Sequence, residues 1–543
     1  MPEHPQHVFD LLIRGGTVYD GDGGSGRRAD IGVAGARIAA IGDLADARAG
    51  ETIDAEGMAV APGFINMLSH SYLSMLHDGR SLGELKQGVT LQVFGEGNSM
   101  GPLGDSGKRW VERLDPDLHY SVEWESLAGY LEQCERQGVS QNVASYIGAT
   151  TLRTFVAGYE NRPLTSAEAA TVRSLISDEM SAGALGIGSS LIYPPAFFSS
   201  TEELIDMCRA TAPYGGRYIS HMRNESEGLV DVGLAELIRI AREADVPAEA
   251  YHLKAGGADS WPLMARAIET IEDARAEGLA ITADMYAYTA GATGLSNCIP
   301  PWFHEGGQDR LIERINDPPT RAEMRAAIEN PEGDWENLYR RAGTPDNILL
   351  LQVREERNRR FQGKRLSEVA AAMGRDPIDA LMDLVADDRS RITTAYFMMS
   401  EANVKLGLSQ PWVSLGSDSP STAVEGVFLN RSTHPRAYGN FARFLGKYVR
   451  DEKLMPLGEG VRRLTSLPAA NLGLHRRGRL AEGYFADIVV FDPANIIDRA
   501  TYENPHQYAE GVRDVVVNGV VNLRDGQHTG KFSGRAVWGP GRR

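Results

Sequence analysis

Three residues of this chain pair a reactive side chain with the same local setting. His221 closes YISH within YISHMRNES, His252 stands in EAYHLKAGG, and Asp418 stands in VSLGSDSPS. Each follows a short apolar or small-residue run, the pattern of a buried strand that ends in a polar loop. Neutral imidazole suits Zn²⁺, and open catalytic zinc sites take about three protein ligands. A carboxylate beside such a site can take a proton from water, whose pKa a metal lowers from ~15.7 toward ~7. It can then return that proton to a departing nitrogen. Taken singly, each residue has a plainer reading: a histidine hydrogen-bonded at a strand end, and an Asp-Ser-Pro-Ser turn. Taken together on separate strand ends, they point to a hydrolytic metal site.

The elements that must position them alternate. VAPGFIN (Val60–Asn66), VTLQVFG, NVASYIG, ALGIGSS, RYISH, AEAYHLK and AITADMY read as strands, most of them following a helical segment. Thr165 with Glu168, and Ser200 with Glu203, are capping boxes that start two of those helices. Strands alternating with helices predict a parallel sheet. About eight such units over ~350 residues favour a closed (β/α)8 TIM barrel, with its chemistry at the C-terminal strand ends. The two chain ends differ: residues 8–60 and the C-terminal stretch are β-rich without helices, and Asn-Gly in VVNGVV predicts a hairpin. The expected division is a small β-sandwich domain from 1–60 plus 478–543 and a catalytic barrel over 61–477. An insertion around 300–390 is expected to be either a lid over the site or a surface helical excursion.

Composition narrows the function classes. The chain has 543 residues, 42% hydrophobic and 24% charged, with a formal net charge of −17. That charge argues against nucleic acid or an anionic membrane as a partner, though not against a small anionic substrate met by a local cationic pocket. Cys134, Cys208 and Cys298 are widely spaced and form no CxxC, which fits a reducing cytoplasm. MPEHPQHVFD lacks the pattern of a signal peptide, and no apolar run approaches the ~20 residues that span a bilayer. No Gly-x-Gly-x-x-Gly follows the first strand, which disfavours dinucleotide binding.

The segments VAPGFIN, KQGVTLQVFGEG, LIYPP, YISHMRNES, YHLKAGG, ADMYAYTAGATG, THPRAYGNFARFLGKYVR, LTSLPAANLGL and GYFADIVVFDP make the resemblance specific. The chain resembles the N-acyl-D-amino-acid deacylases (D-aminoacylases) of the amidohydrolase superfamily over nearly its whole length. That resemblance implies a metal-dependent barrel that hydrolyses an N-acyl amide. It makes His221 and His252 metal ligands and Asp418 the catalytic aspartate. Lys254, Tyr286 and Arg436 match residues that hold the substrate carboxylate, and Tyr193 matches one near the scissile carbonyl. Two departures stand out. Where the superfamily has His-x-His after the first strand, this chain has Leu68-Ser69-His70, and leucine cannot ligate. Where D-aminoacylases use a cysteine, this chain offers Glu96, a competent oxygen ligand. The expectation is one tightly bound zinc on Glu96, His221 and His252, with the second site weak or absent. His70 stays open between ligand, water-positioning group and substrate contact.

Residue chemistry supports the cationic pair, since Arg436 can grip a carboxylate with two parallel hydrogen bonds while Lys254 offers a point charge. Two other readings stay open: a hydrolase of another amide, cyclic imide or carbamate, and a non-catalytic barrel that binds an acylated ligand. Acyl and side-chain preference, D or L configuration and homo-oligomerisation also stay open.

Overall fold

The computed structural model describes residues 8–330 and 335–542. Residues 1–7 of the segment read for a signal peptide, and 331–334 within the expected insertion, lie outside the described residues. No described helix is long and apolar enough to cross a membrane.

Eight short strands position the site: β1 (Phe64–Asn66), β2 (Val89–Phe94), β3 (Asn142–Ser145 and Ile147–Gly148), β4 (Gly186–Ser190), β5 (Arg217–His221), β6 (Ala248–Ala250), β7 (Ile281–Met285) and β8 (Val413–Leu415). Each pairs in parallel with the next, as in Ser190 beside His221, Ala250 beside Ala283 and Met285 beside Leu415. The ends of the row also meet. Beyond β1, Met67 N donates to Leu415 O at 3.1 Å, and Asp418 N donates to Leu68 O at 2.9 Å. Parallel strands covered on both faces read as continuous apolar runs, and β2 and β4 are buried at every position.

The connecting helices form where their caps predict. Thr165 and Ser200 accept from Glu168 N and Glu203 N, and those glutamates answer the cap backbones, opening helices Ser166–Ala182 and Thr201–Thr211. The architecture is mixed α/β.

Both chain ends enter one nine-stranded sheet. Ile488–Phe491 pairs antiparallel with Ala59–Pro62 on one side and with Val512–Val517 on the other. Alternation sends Ile488 and Val490 into a core with Leu11, Ile13, Ile31 and Val516, while Val489 and Phe491 join the main core with Phe64. The hairpin expected at Asn518-Gly519 forms, with φ of +48° and +82° at the two turn residues. VAPGFIN is two strands rather than one. Ala59–Pro62 belongs to the terminal sheet and Phe64–Asn66 begins the parallel row. They part at Gly63, where a Cβ would lie 2.2 Å from the Thr90 side chain.

The interruption after β7 is wider than 300–390. It opens with Gly291–Gly294, which pairs with Thr393–Tyr396, which in turn pairs with Ile348–Gln352. Helices Gln308–Asn316, Pro318–Glu329, Leu366–Met373 and Pro377–Asp388 belong to the same excursion and pack on one another, with Leu366–Met373 also against Ile348–Gln352.

Candidate metal and catalytic site

The loops at the C-terminal ends of the strands enclose a cavity of about 280 Å³. His70, Glu96, Tyr193, His221, His252, Lys254, Tyr286 and Asp418 all line it; Arg436 does not. His221 is the last residue of β5 and Glu96 stands two residues beyond β2. His252 follows β6, where its N–H donates to Asp284 Oδ1 at 2.9 Å. Asn66 ties the two remaining loops together. Its Oδ1 accepts from Leu68 N at 3.2 Å and from Ser417 N at 2.8 Å, next to His70 and Asp418. His252 and Asp418 take positive φ, +36° and +48°. That left-handed backbone costs a non-glycine residue roughly 1–2 kcal/mol and tends to be kept where a side chain must be aimed.

Glu96 is the centre of the cluster. Its Oε1 lies 3.0 Å from His221 Nδ1 and 3.3 Å from His252 Nε2, and its Oε2 lies 3.0 Å from His70 Nε2. Tetrahedral zinc ligands at ~2.0–2.1 Å stand about 3.3 Å from one another. Glu96 is at about that distance from both imidazoles and the three donors all lie within 4.8 Å, a set that could hold such an ion. His70, Glu96 and Asp418 converge in the same way, with His70 Nε2 3.0 Å from Asp418 Oδ1. The electrostatics agree. Burial opposes charge on His70, yet hydrogen bonds to Asp418 and Glu96 lift it to about 9. Burial opposes charge on His252 too, as does Lys254, yet Glu225 and Glu96 lift it to about 10. The cluster is a well for positive charge. Burial works against ionisation of Asp418, but the Arg436 guanidinium and His70 hold it below the usual carboxylate range.

Arg436 stands behind this wall. It is 2% exposed, places NH1 2.9 Å from Asp418 Oδ2 and stacks its guanidinium 4.5 Å from the Tyr286 ring centre. Lys254 is buried as well, with Nζ 2.7 Å from Glu225 Oε2. The Tyr193 ring lies 5.0 Å from that of His221, tilted by 59°.

Glu225 was not singled out by the sequence reading, although it lies inside YISHMRNES. Its Oε1 is 3.0 Å from His252 Nδ1, and its Oε2 is 3.4 Å from His221 Nε2. His252 Nδ1 thus faces the Glu225 carboxylate and, at 2.7 Å, the Lys254 ammonium, so both groups bear on the orientation of an imidazole whose Nε2 points at Glu96. The four-residue step from His221 was the one signal available. The insertion also reaches the cavity, through Thr293, Arg391, Tyr396 and Met398.

Known proteins resemble this chain along nearly its whole length. Residues 302–522 match the model of the amidohydrolase family. Over 539 residues the chain is 36% identical to the D-aminoacylase of Alcaligenes xylosoxydans xylosoxydans, covering 99% of both. The chain belongs to the D-aminoacylase family. Among solved members, a D-aminoacylase studied for its binuclear metal centre, with one-metal activation and second-metal attenuation, superposes with a TM-score of 0.80 at 34% identity. That match covers 97% of this chain and 99% of the other. An N-acyl-D-glutamate deacylase from Bordetella bronchiseptica, complexed with zinc and a phosphonate mimic of the tetrahedral intermediate, also superposes at 0.80, with 29% identity over 98% and 100% of the two chains.

Proposed function

We propose that this protein hydrolyses the amide bond of N-acyl-D-amino acids, releasing a carboxylic acid and a free D-amino acid. We place one zinc ion on Glu96, His221 and His252. The carrying observation is the convergence of those three donors, with an ionised Asp418 alongside, in one cavity of a chain whose full-length relatives are D-aminoacylases. A divalent cation bound there supplies Lewis acidity and eases the ionisation of water toward neutral pH.

The chain's own groups do the rest. Asp418 takes the proton of the attacking water and hands it to the leaving nitrogen as the C–O bond forms and the C–N bond breaks. Tyr193 donates its hydroxyl to the developing oxyanion. Lys254 and Tyr286 receive the α-carboxylate, and Arg436 adds positive field from behind Tyr286 while holding Asp418. His70, Glu96 and Asp418 would hold a second, weaker cation, and Asp418 committed to it would be less available as general base, which would slow turnover.

We further read the eight parallel strands as a closed TIM barrel that begins at Phe64 and runs to about 477, supported by the hydrogen bonds that join β1 to β8. The nine-stranded sheet is then a small β-sandwich domain built from residues 8–62 and 478–542, supported by its own core. The insertion acts as the lid, supported by the residues it sends into the cavity. Three buried free cysteines suit the cytoplasm.

A turnover screen across D- and L-N-acetyl amino acids, with zinc removed and restored, tests the activity. Zinc-dependent release of D-amino acids is expected. Absence of amidase activity on every D substrate in zinc-loaded protein would overturn it.

A further inference from the structure

Beside the reactive cavity lies a second, of about 170 Å³, that the mechanism does not use. Leu103, Trp110, Phe155 and Tyr159 make its wall largely apolar, and Asn98 and Thr151 complete one side. Asn98 lines both cavities. It stands two residues after Glu96 on the loop leaving β2, so one loop carries a ligand carboxylate into the first cavity and then walls the second.

That loop is held firmly. Ser99 N donates to Thr151 Oγ1, and Thr150 N to Gly97 O, both at 2.8 Å. Gly97 is pressed so close to β4 that a Cβ there would fall 1.9 Å from Ser190 Oγ. The apolar wall is open to occupancy, with the Phe155 ring 40% exposed. Concave aromatic surfaces with a few polar groups at one edge are characteristic of small-molecule sites.

Direction follows from amide geometry. The groups on the two sides of a trans amide leave it in opposite directions. The proposed carboxylate contacts, Lys254 and Tyr286, follow β6 and β7. Asn98 follows β2, four strands from β6 along the parallel row. With the scissile carbonyl at Glu96, His221 and His252, the acyl group points toward Asn98 and the cavity behind it.

We propose that this second cavity receives the acyl chain of the substrate, so that alkyl or aryl acyl groups longer than acetyl are preferred. The inference rests on the deacylase reading above and adds the acyl class to it. The zinc-loaded full-length protein is assayed with acetyl, butanoyl, hexanoyl and octanoyl derivatives of the D-amino acid it hydrolyses fastest. We expect kcat/KM to rise about fourfold per methylene that enters the cavity, the gain from burying one methylene, and to level off when the cavity is full. Phe155→Ala should lower the octanoyl-to-acetyl ratio several-fold. Ser106→Trp, which fills the cavity from its exposed rim, should abolish the rise. Each variant's acetyl rate serves as its internal reference, and circular dichroism reports its fold. Good acetyl turnover with a flat or falling series, or with ratios that neither substitution moves, overturns the acyl cavity alone. No turnover of any member overturns the deacylase reading and this inference with it.

Discussion

Replacing Glu225 by glutamine removes one charge where three groups meet. The carboxylate faces His252 Nδ1 at 3.0 Å, His221 Nε2 at 3.4 Å and Lys254 Nζ at 2.7 Å, and both Glu225 and Lys254 are 4% exposed. Glutamine keeps an oxygen for one imidazole but turns an amide or an uncharged carbonyl toward a buried ammonium. Leaving one partner of a buried pair uncompensated costs about 3–5 kcal/mol. Loosening the carboxylate behind a metal-ligating histidine costs ~10–100-fold in metal affinity, which is about 1.4–2.8 kcal/mol. The two costs can be separated. Lys254→Met added to Glu225→Gln removes the stranded charge, so the double variant should recover most of its thermal stability without recovering zinc affinity. Unfolding of the metal-free protein followed by circular dichroism reads the first quantity, and zinc competition against a chromophoric chelator reads the second. Wild-type zinc affinity in Glu225→Gln would refute the orienting role. A double variant no more stable than the single one would refute the stranded charge as the source of the instability.

Other expectations follow from the same site and its supports. Asp418→Asn should fold and bind zinc normally while kcat falls by about 10²–10⁴, the usual worth of a general base; wild-type-like rates would remove Asp418 from that role. If the proposed second cation site slows turnover, activity measured against zinc concentration should peak and then decline, and His70→Ala should abolish the decline, because His70 is in that proposed site and not among the three donors of the first. Glu84 is fully buried below Asn66, and burial raises its carboxyl to about 8 against hydrogen bonds from Ser417 and Asn66 that lower it. The folded state therefore holds a proton that the unfolded chain releases near its ordinary value of 4.5. Stability is greatest below that pH and declines as pH rises toward 8, by up to roughly 4–5 kcal/mol. Glu84→Gln should flatten the profile, seen as melting temperatures that change less than wild type between pH 5 and pH 9.

The strand ends bearing His221, His252 and Asp418 were legible because buried parallel strands leave apolar runs and their reactive polar residues fall at or beyond the last position. Capping boxes and Asn518-Gly519 were legible because their chemistry is local. Glu96 carried no local mark and was reached through family resemblance. Glu225 resembled any loop glutamate until its position beneath two imidazoles was known. VAPGFIN could not be divided by pattern, since both halves are equally apolar and only the partner strands differ. The small sheet at Gly291–Gly294 and Thr393–Tyr396 joins segments about a hundred residues apart, so no local window contains it. The burial of Arg436 and Lys254 against carboxylates is likewise long-range or conformational, and residue type alone offered a free cation as readily as a paired one.

The terminal sheet has a consequence for biosynthesis. Ala59–Pro62 has Ile488–Phe491 as its antiparallel neighbour, and that neighbour is translated more than 400 residues later. At 5–20 residues per second the wait is about 20–90 s. Throughout it the nascent chain displays an unpaired apolar strand edge of the kind that recruits other chains. Polysomes crowded with this message are where aggregation should begin, and a chaperone that shields the first sixty residues on the ribosome should raise the yield of native protein.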